Sequence, residues 1–219
     1  MIITIDGPAG SGKSTVSRLL AERLGFRFLD TGAMYRAIAL AVLRVAAEPA
    51  DRTATAAAAR SAQLQFMGDR LLLNGEDVSL AIRAPEVSAA ASIVAASPEV
   101  RERMVELQRE AGDGGRLVTE GRDQGTVVFP TAECKFFLTA SVSARAERRV
   151  RDLQQRGIEQ SLEEVRQQIQ DRDRRDEERE LAPMKPADDA IVLETSELSI
   201  DEVLERMLQL VQESPDGHA

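Results

Sequence analysis

The chain has 219 residues and a formal net charge of −9, with one cysteine and one histidine. Its length suits one α/β domain, and its acidic balance argues against a nucleic-acid polymer as partner, so we expect a small ligand. Cys134 alone cannot form an internal disulfide, and its strand-like surroundings predict a buried structural thiol. The only histidine, His218, falls in the polar C-terminal tail, which excludes histidine catalysis and a zinc site built on histidine or cysteine clusters.

The N-terminal segment begins a strand within two residues and lacks the pattern of a signal peptide. No apolar run approaches the length of about 18 residues that a membrane-spanning helix needs. We therefore expect a cytoplasmic protein that does not associate with a membrane.

The first predicted strand, Ile2 to Ile5, leads into Gly7-Pro8-Ala9-Gly10-Ser11-Gly12-Lys13-Ser14-Thr15. This segment fits the P-loop pattern of a glycine, four free positions and then Gly-Lys-Ser/Thr. Apolar residues at helical spacing follow from Val16 to Leu24, so strand, loop and helix occur in the order that the motif requires. In such a loop the backbone N–H groups and Lys13 hold nucleotide phosphates, and the Ser14 hydroxyl can bind Mg²⁺.

A second short strand is predicted from Phe26 to Leu29, before Asp30-Thr31-Gly32. Apolar residues then recur from Met34 to Val45 with the period of a helix, and Arg36 lies in its first two turns. The helix begins after the carboxyl end of a strand, where ligands of open α/β sheets bind. Arg36 is therefore either a phosphate clamp or an ordinary surface arginine, and the sequence leaves both interpretations open.

The alanine-rich segment 51–60 predicts a helix. The hydrophobic period then changes, and two short antiparallel strands are predicted at 64–67 and 70–73, with turn signals at Gly68-Asp69 and Asn74-Gly75. Because this β unit interrupts the alternation of helix and strand, we interpret it as an inserted lobe.

Helical patterns return after Ala84 and after Ser97, each starting with a proline. Ser92 and Arg101 fall on these two neighbouring helices. The remaining strands of the core are predicted at 117–119, 134–138 and 190–193.

The stretch between the last two predicted strands is the most charged part of the chain. Arginines are frequent from Arg145 to Arg156, and acidic and basic residues are interspersed over 171–180. Such a run is typical of a solvated helix with i,i+4 ion pairs. Alternatively, the spacing of Arg172, Asp176 and Arg179 predicts one shared helix face, where a carboxylate between two guanidinium groups could bind a sugar hydroxyl and a phosphate.

Taken together, these segments resemble bacterial cytidylate kinase, a member of the nucleoside monophosphate kinase family. Beyond the P-loop, the segments that carry the resemblance are Asp30 to Arg36, Ile82 to Ser88, Gly121 to Asp123, Gly125 to Pro130 and Arg172 to Met184. The resemblance covers nearly the whole chain. It implies one P-loop kinase domain over 1–219, an α/β fold whose five-stranded parallel sheet is flanked by helices. It also implies a small β-containing monophosphate-binding insert at about 62–88 and a helical lid at about 145–162.

The resemblance also implies the site residues. The residues expected to act on the transferred phosphoryl group are Lys13, Arg36, Arg122 and Arg179. ATP would be bound by Gly7, Pro8, Ala9, Gly10, Ser11, Gly12, Lys13, Ser14 and Thr15, with Ser14 as the Mg²⁺ ligand. CMP would be bound by Thr31, Arg36, Ser92, Arg101, Arg122, Asp123, Arg172, Asp176 and Arg179. Additional phosphate contacts are expected from lid arginines among Arg145, Arg148, Arg149 and Arg156.

Within the CMP set, the resemblance places Ser92, Arg101 and Asp123 at the base, and Arg172 and Asp176 near the ribose. The chemistry suits cytosine, because a carboxylate accepts from the N4 amino group and an arginine donates to the N3 and O2 acceptors. Three positions depart from the usual pattern of the family. They are Glu120 in place of Asp, Gln124 in place of an apolar residue and Met184 in place of Leu.

The activity implied is transfer of the ATP γ-phosphoryl group to CMP or dCMP, with Mg²⁺ as cofactor and a monomer as the expected state. Another small-molecule P-loop kinase stays open as an alternative, although a different acceptor would make no use of Ser92, Arg101 and Asp123. A nucleotide-binding switch without catalysis also stays open. It offers no reason for so many arginines at the carboxyl edge of the predicted sheet.

Overall fold

The computed structural model describes residues 1–68, 70–155 and 157–213. These residues divide into two compact units: unit 1 contains Met1–Leu29 and the chain from Gly112 onward, and unit 2 contains Asp30–Ala111. Each unit is described by itself below. Asp69, Arg156 and His218 lie outside the described residues.

In chain order the strands are β1 (Ile2–Asp6), β2 (Arg27–Asp30), β3 (Leu64–Met67), β4 (Arg70–Leu73), β5 (Glu76–Asp77), β6 (Leu117–Glu120), β7 (Cys134–Thr139) and β8 (Ile191–Glu194). The α-helices are α1 (Lys13–Leu24), α2 (Thr31–Arg44), α3 (Arg52–Ser61), α4 (Pro85–Val94), α5 (Pro98–Gly112), α6 (Val142–Gln155), α7 (Leu162–Glu178) and α8 (Ile200–Glu213). A 3₁₀ turn spans Ala81–Arg83, and a π-helical turn spans Gln124–Val128.

Unit 1 is built on a five-stranded parallel sheet with the order β2-β6-β1-β7-β8, which confirms the predicted core. Strand β1 lies between β6 and β7, and Ile3 is opposite both Val118 and Cys134. The sheet strands read as nearly continuous apolar runs because helices cover a parallel sheet on both faces. Residues of α1 and α8 pack with Ile3 and Phe136 in the same buried cluster.

The parallel arrangement brings the carboxyl ends of β1 and β6 together at one edge of the sheet. The loop of residues 7–12, which we call the phosphate loop, leaves that edge after Asp6. The segment from Gly121 to Asp123 leaves the same edge after Glu120. Cys134, at the start of β7, is buried, and burial raises the pKa of its thiol to about 11. Its predicted structural location is confirmed.

Unit 2 combines helices with the predicted small sheet. Strands β3 and β4 pair antiparallel, with Leu64 opposite Leu73, and the short strand β5 adds a third member that the sequence did not predict. Helix α2 packs against α3 and α4. The helices predicted at 51–60, after Ala84 and after Ser97 are confirmed by α3, α4 and α5.

The predicted helix face with Arg172, Asp176 and Arg179 is wrong in one respect. Helix α7 ends at Glu178, and Arg179 is its C-terminal cap with an extended backbone at φ −62° and ψ 139°. The chain turns back here, because Met184 donates its backbone N–H to the Asp176 carbonyl over 2.8 Å. Arg179 therefore reaches its neighbours from a turn and not from the seventh position of a helical face.

Gly7 allows the phosphate loop to start close to β7. A Cβ atom at this position would lie 2.0 Å from the Leu138 carbonyl oxygen, and the φ of +138° is one that side chains disfavour. We expect Gly7→Ala to lower the free energy of unfolding by about 3 kcal/mol or more, as measured by chemical denaturation. Gly75→Ala is the matched control, since Gly75 has φ +84° with no atom near its Cβ position. Its cost should be only about 1 kcal/mol, and equal losses for the two variants would contradict the steric argument.

Candidate active site

The phosphate loop connects β1 to α1. Gly12 caps the helix with φ +91° and has no side chain to accept from the first-turn N–H groups. Those groups and the positive end of the helix dipole are therefore available to an anion. The Ser14 side chain is exposed in this first turn, whereas Lys13 is only 4% exposed.

Lys13 lies folded against its own loop. Its Nζ donates to the Pro8 carbonyl over 2.6 Å and to the Ser11 hydroxyl over 3.3 Å. Burial, and then the positive charges of Arg122 and Arg172, lower the pKa of Lys13 to about 7, although Glu120 and Asp6 oppose the shift. A nearby negative charge raises the pKa of a lysine, so a bound phosphate would favour the protonated form of Lys13.

Asp6, the last residue of β1, is a site residue that the sequence reasoning missed. Its two carboxylate oxygens accept the backbone N–H groups of Gln124 over 2.9 Å and of Gly125 over 2.8 Å. Burial raises the pKa of Asp6 to about 6 despite these bonds. An acidic residue at the buried end of a strand, directly before the motif, was the signal that could have identified it.

The bonds to Asp6 hold the π-helical turn that directly follows Asp123. Gln124 in this turn is buried, and its Oε1 accepts from the Thr119 hydroxyl over 2.9 Å. This hydrogen bond explains how the polar side chain of Gln124 is tolerated at a buried position. A π-helical turn beside charged residues is also a frequent feature of functional sites.

Arg122 joins the end of β6 to α7. Its Nε donates to Oδ2 of Asp176 over 3.0 Å. Burial would raise the pKa of Asp176, but the charges of Arg122, Arg172 and Arg179 outweigh it and hold the pKa below its ordinary value. The Asp176 carboxylate is therefore ionised and surrounded by guanidinium groups.

Arg179 approaches Asp123 from the turn after α7. The Arg179 Nη2 and Asp123 Oδ1 atoms are 3.9 Å apart, and both side chains are nearly buried. Unit 1 thus brings six of the predicted site residues into one group of interacting charges. They are Lys13, Arg122, Asp123, Arg172, Asp176 and Arg179.

The other predicted CMP-binding residues belong to unit 2. Thr31 and Arg36 lie on α2, where Asp30 caps the helix and also accepts from Arg36 Nη2 over 3.2 Å. Ser92 lies on α4, and Arg101 lies on α5, as predicted. The guanidinium of Arg101 stacks on the ring of Tyr35 at 5.9 Å, a contact that the sequence reasoning did not anticipate.

The arginines of α6 differ in their surroundings. Arg145 is buried and pairs with Asp173 at 2.6 Å. Arg148 donates to the carbonyl groups of Thr195 and Ser196. Arg149 pairs with Asp152 on its own helix. The predicted part of these arginines in phosphoryl transfer stays a prediction, as does the boundary of the lid.

The described residues contain no group of three or more His, Cys, Asp or Glu side chains that could hold a metal ion. Within the same residues no helix is long and apolar enough to cross a lipid bilayer.

A glycine-rich phosphate loop on a parallel sheet, with a lysine and several arginines around it, defines a phosphotransferase of the P-loop kinase class. A family model described as cytidylate kinase matches residues 3–213. The chain is 46% identical to a cytidylate kinase of Pasteurella multocida, over 99% of this chain and 97% of that protein. A cytidylate kinase of Desulfitobacterium hafniense is 50% identical, over 95% and 91% of the two chains. The chain belongs to the cytidylate kinase family.

The fold also resembles that of more distant kinases. A solved shikimate kinase from Bacteroides thetaiotaomicron aligns with a TM-score of 0.54 over 97% of this chain and 98% of that one. The two sequences are only 13% identical, so the likeness concerns the fold alone.

The lowered pKa of Lys13 predicts proton uptake on nucleotide binding. At pH 8 Lys13 is mostly neutral in the free protein, and the phosphates of MgADP should raise its pKa and protonate it. We expect uptake of about half a proton or more per ADP, as measured by calorimetry in two buffers of different ionisation enthalpy. Lys13→Arg, which stays charged, should remove the uptake. Binding of MgADP by the unmodified protein without proton uptake at pH 8 would contradict the assignment.

Proposed function

We propose that the protein transfers the γ-phosphoryl group of ATP to the 5′-phosphate of CMP or dCMP, giving ADP and CDP or dCDP. One observation carries this proposal: Arg122 and Asp123 leave the same sheet edge as the phosphate loop and interact with Asp176 and Arg179. Membership of the cytidylate kinase family supports it. A nucleotide switch without an acceptor would have no use for this second cluster.

The attacking group in this reaction is an anionic phosphate oxygen, so no strong base is required. Catalysis then rests on in-line positioning and on neutralisation of charge. In our proposal the N–H groups of the loop and Lys13 hold the donor phosphates. Arg36, Arg122 and Arg179 neutralise the acceptor phosphate and the transferring group, with Thr31 as an additional donor to the acceptor phosphate.

The donor atoms in unit 1 fit a Mg²⁺ ion bound together with ATP. Mg²⁺ prefers oxygen ligands and is commonly held by one or two side chains plus substrate phosphates, so it needs no all-protein cluster. Ser14 would supply its exposed hydroxyl, and Glu120 supplies a buried carboxylate whose charge acts on Lys13 and Arg122. When bound, the ion would neutralise charge on the donor phosphates. The longer Glu120 side chain still presents the carboxylate chemistry of the Asp that is usual in the family.

Recognition of the base is assigned by its pattern of donors and acceptors. The Asp123 carboxylate can accept from the N4 amino group of cytosine, whereas uracil presents a carbonyl at that position. Arg101 would donate to the N3 and O2 acceptors, with Ser92 as a further polar contact. Arg172 and Asp176 would bind the ribose. We further propose that the enzyme acts as a monomer in the cytoplasm, where its one buried thiol stays reduced.

The test is a comparison of steady-state rates with CMP, dCMP, UMP and AMP at saturating MgATP, for the unmodified protein and for Asp123→Ala. We expect CMP or dCMP to be the preferred acceptor. Asp123→Ala should reduce the preference for CMP over UMP by about 1–3 kcal/mol in kcat/KM. Asp188→Ala, which removes an exposed carboxylate, is the matched control and should leave the preference unchanged.

The other outcomes separate the alternatives. Faster turnover of AMP or UMP by the unmodified protein would indicate a kinase with a different acceptor. Tight ATP binding without turnover of any monophosphate would indicate a switch. An unchanged CMP preference in Asp123→Ala would show that Asp123 does not read the base.

A further inference from the structure

Three carbonyl groups of the phosphate loop are held by side chains. The Pro8 carbonyl accepts from Lys13 and Ser11, which belong to the motif. The other two accept from residues far outside it. Ala9 accepts from Arg145 Nη1 over 3.2 Å, and Ser11 accepts from the Thr195 hydroxyl over 3.1 Å.

Holding a carbonyl group also sets the direction of the next N–H group. The peptide unit is planar and trans, so its C=O and N–H bonds point in opposite directions. The bond from Arg145 to Ala9 therefore fixes where the Gly10 N–H points. The bond from Thr195 to Ser11 does the same for the Gly12 N–H. Both glycines have positive φ and lack side chains, so their backbone is conformationally permissive and the two bonds restrict it.

Arg145 is itself rigidly held. Its side chain is 5% exposed and forms a 2.6 Å ion pair with Asp173 of α7. Its Nε donates to the Ala140 carbonyl over 2.9 Å, and a Cβ atom on Gly10 would lie 3.2 Å from its own Cβ. The Asp173 carboxylate neutralises the guanidinium, so this buried cation can approach the loop without a phosphate to balance it.

Thr195, which directly follows β8, is fixed in a similar way. It is 2% exposed, its backbone N–H donates to the Thr139 carbonyl over 2.8 Å, and its hydroxyl also lies 3.1 Å from that carbonyl. Arg148 donates to the carbonyl of Thr195. The Thr195 hydroxyl oxygen also accepts from Arg148 Nη1 over 3.3 Å, so its single hydrogen points toward the carbonyls of Ser11 and Thr139, each 3.1 Å away, and bonds one of them at a time.

We propose that Arg145 and Thr195 are positioning residues that preset the Gly10 and Gly12 N–H groups of the phosphate loop before nucleotide binds. A preset loop binds phosphate without reorganising its peptide dipoles. In this role Arg145 acts through the backbone of the loop. The choice of phosphate as ligand rests on the proposed function, whereas the backbone orientation does not.

The first test uses the free protein and needs no ligand. Amide chemical shifts in a ¹⁵N–¹H spectrum should change at Gly10 in Arg145→Ala and at Gly12 in Thr195→Val. Thr195→Ser keeps the hydroxyl and should retain the Gly12 shift of the unmodified protein. Arg151→Ala is the matched control, since Arg151 is exposed on the same helix and donates to the Glu147 carbonyl of that helix. It should change neither amide.

The second test measures binding of MgADP and of CMP separately. Arg145→Ala should raise the Kd for MgADP about tenfold, with a change of less than about twofold for CMP. Thr195→Val should weaken MgADP several-fold, and Thr195→Ser should restore it. Unchanged Gly10 and Gly12 amides would overturn the proposal whatever the affinities are. If the amide shifts of Gly10 and Gly12 changed but the unmodified protein bound no nucleotide, the inferred orientation of the N–H groups would still be supported, and the proposed function would be refuted.

A variant that loses affinity for both ligands alike would also overturn the positioning role, because a general loss of structure would produce that result. Asp173→Asn offers a milder perturbation if Arg145→Ala fails to fold. This substitution keeps the size of the Asp173 side chain but removes its negative charge. We expect a smaller change in the chemical shift of the same Gly10 amide.

Discussion

The active-site edge of unit 1 depends on one carboxylate, that of Asp6. It ends β1, and the phosphate loop starts at the next residue, so its position fixes the origin of the loop. Its two oxygens accept the N–H groups of Gln124 and Gly125, which directly follow Arg122 and Asp123. One side chain therefore fixes the position of the proposed donor-phosphate loop relative to the proposed acceptor residues Arg122 and Asp123. Keeping it buried is costly, as its raised pKa indicates.

Positively and negatively charged side chains also offset one another at this edge of the sheet. Lys13, Arg122, Arg172 and Arg179 are gathered in one unit, and without a ligand they are offset by carboxylates such as Asp176 and Glu120. Burial first, and then the positive charges of Arg122 and Arg172, lower the pKa of Lys13 to about 7. Phosphate ligands would add negative charge beside these cations and would reduce the repulsion between them. Helix α7 and the turn after it contribute both carboxylates and arginines to this edge.

The sequence predicted what local spacing encodes. The order of strand, loop and helix around Lys13 and the five core strands followed from motif and period, and the small sheet around Leu64 was read from its turns. Contacts between a side chain and backbone groups far away in the sequence could not be predicted from local spacing. Asp6 meets Gln124 across 118 positions, and Arg145 meets Ala9 across 136. The end of α7 before Arg179 was also missed, because a turn stabilised by Met184 overrides an uninterrupted charged pattern.

Asp6→Asn tests most directly whether Asp6 keeps the phosphate loop in register with Arg122 and Asp123. The amide keeps the size of the side chain but can accept only one of the two N–H groups. With folding verified by thermal denaturation, the measurement is kcat for CMP with MgATP, beside the separate Kd values for MgADP and CMP. We predict a loss in kcat of about tenfold or more, with each Kd changed less than about threefold, because misplacement affects the reacting geometry more than either binding step. An unchanged kcat in the folded variant would contradict the account.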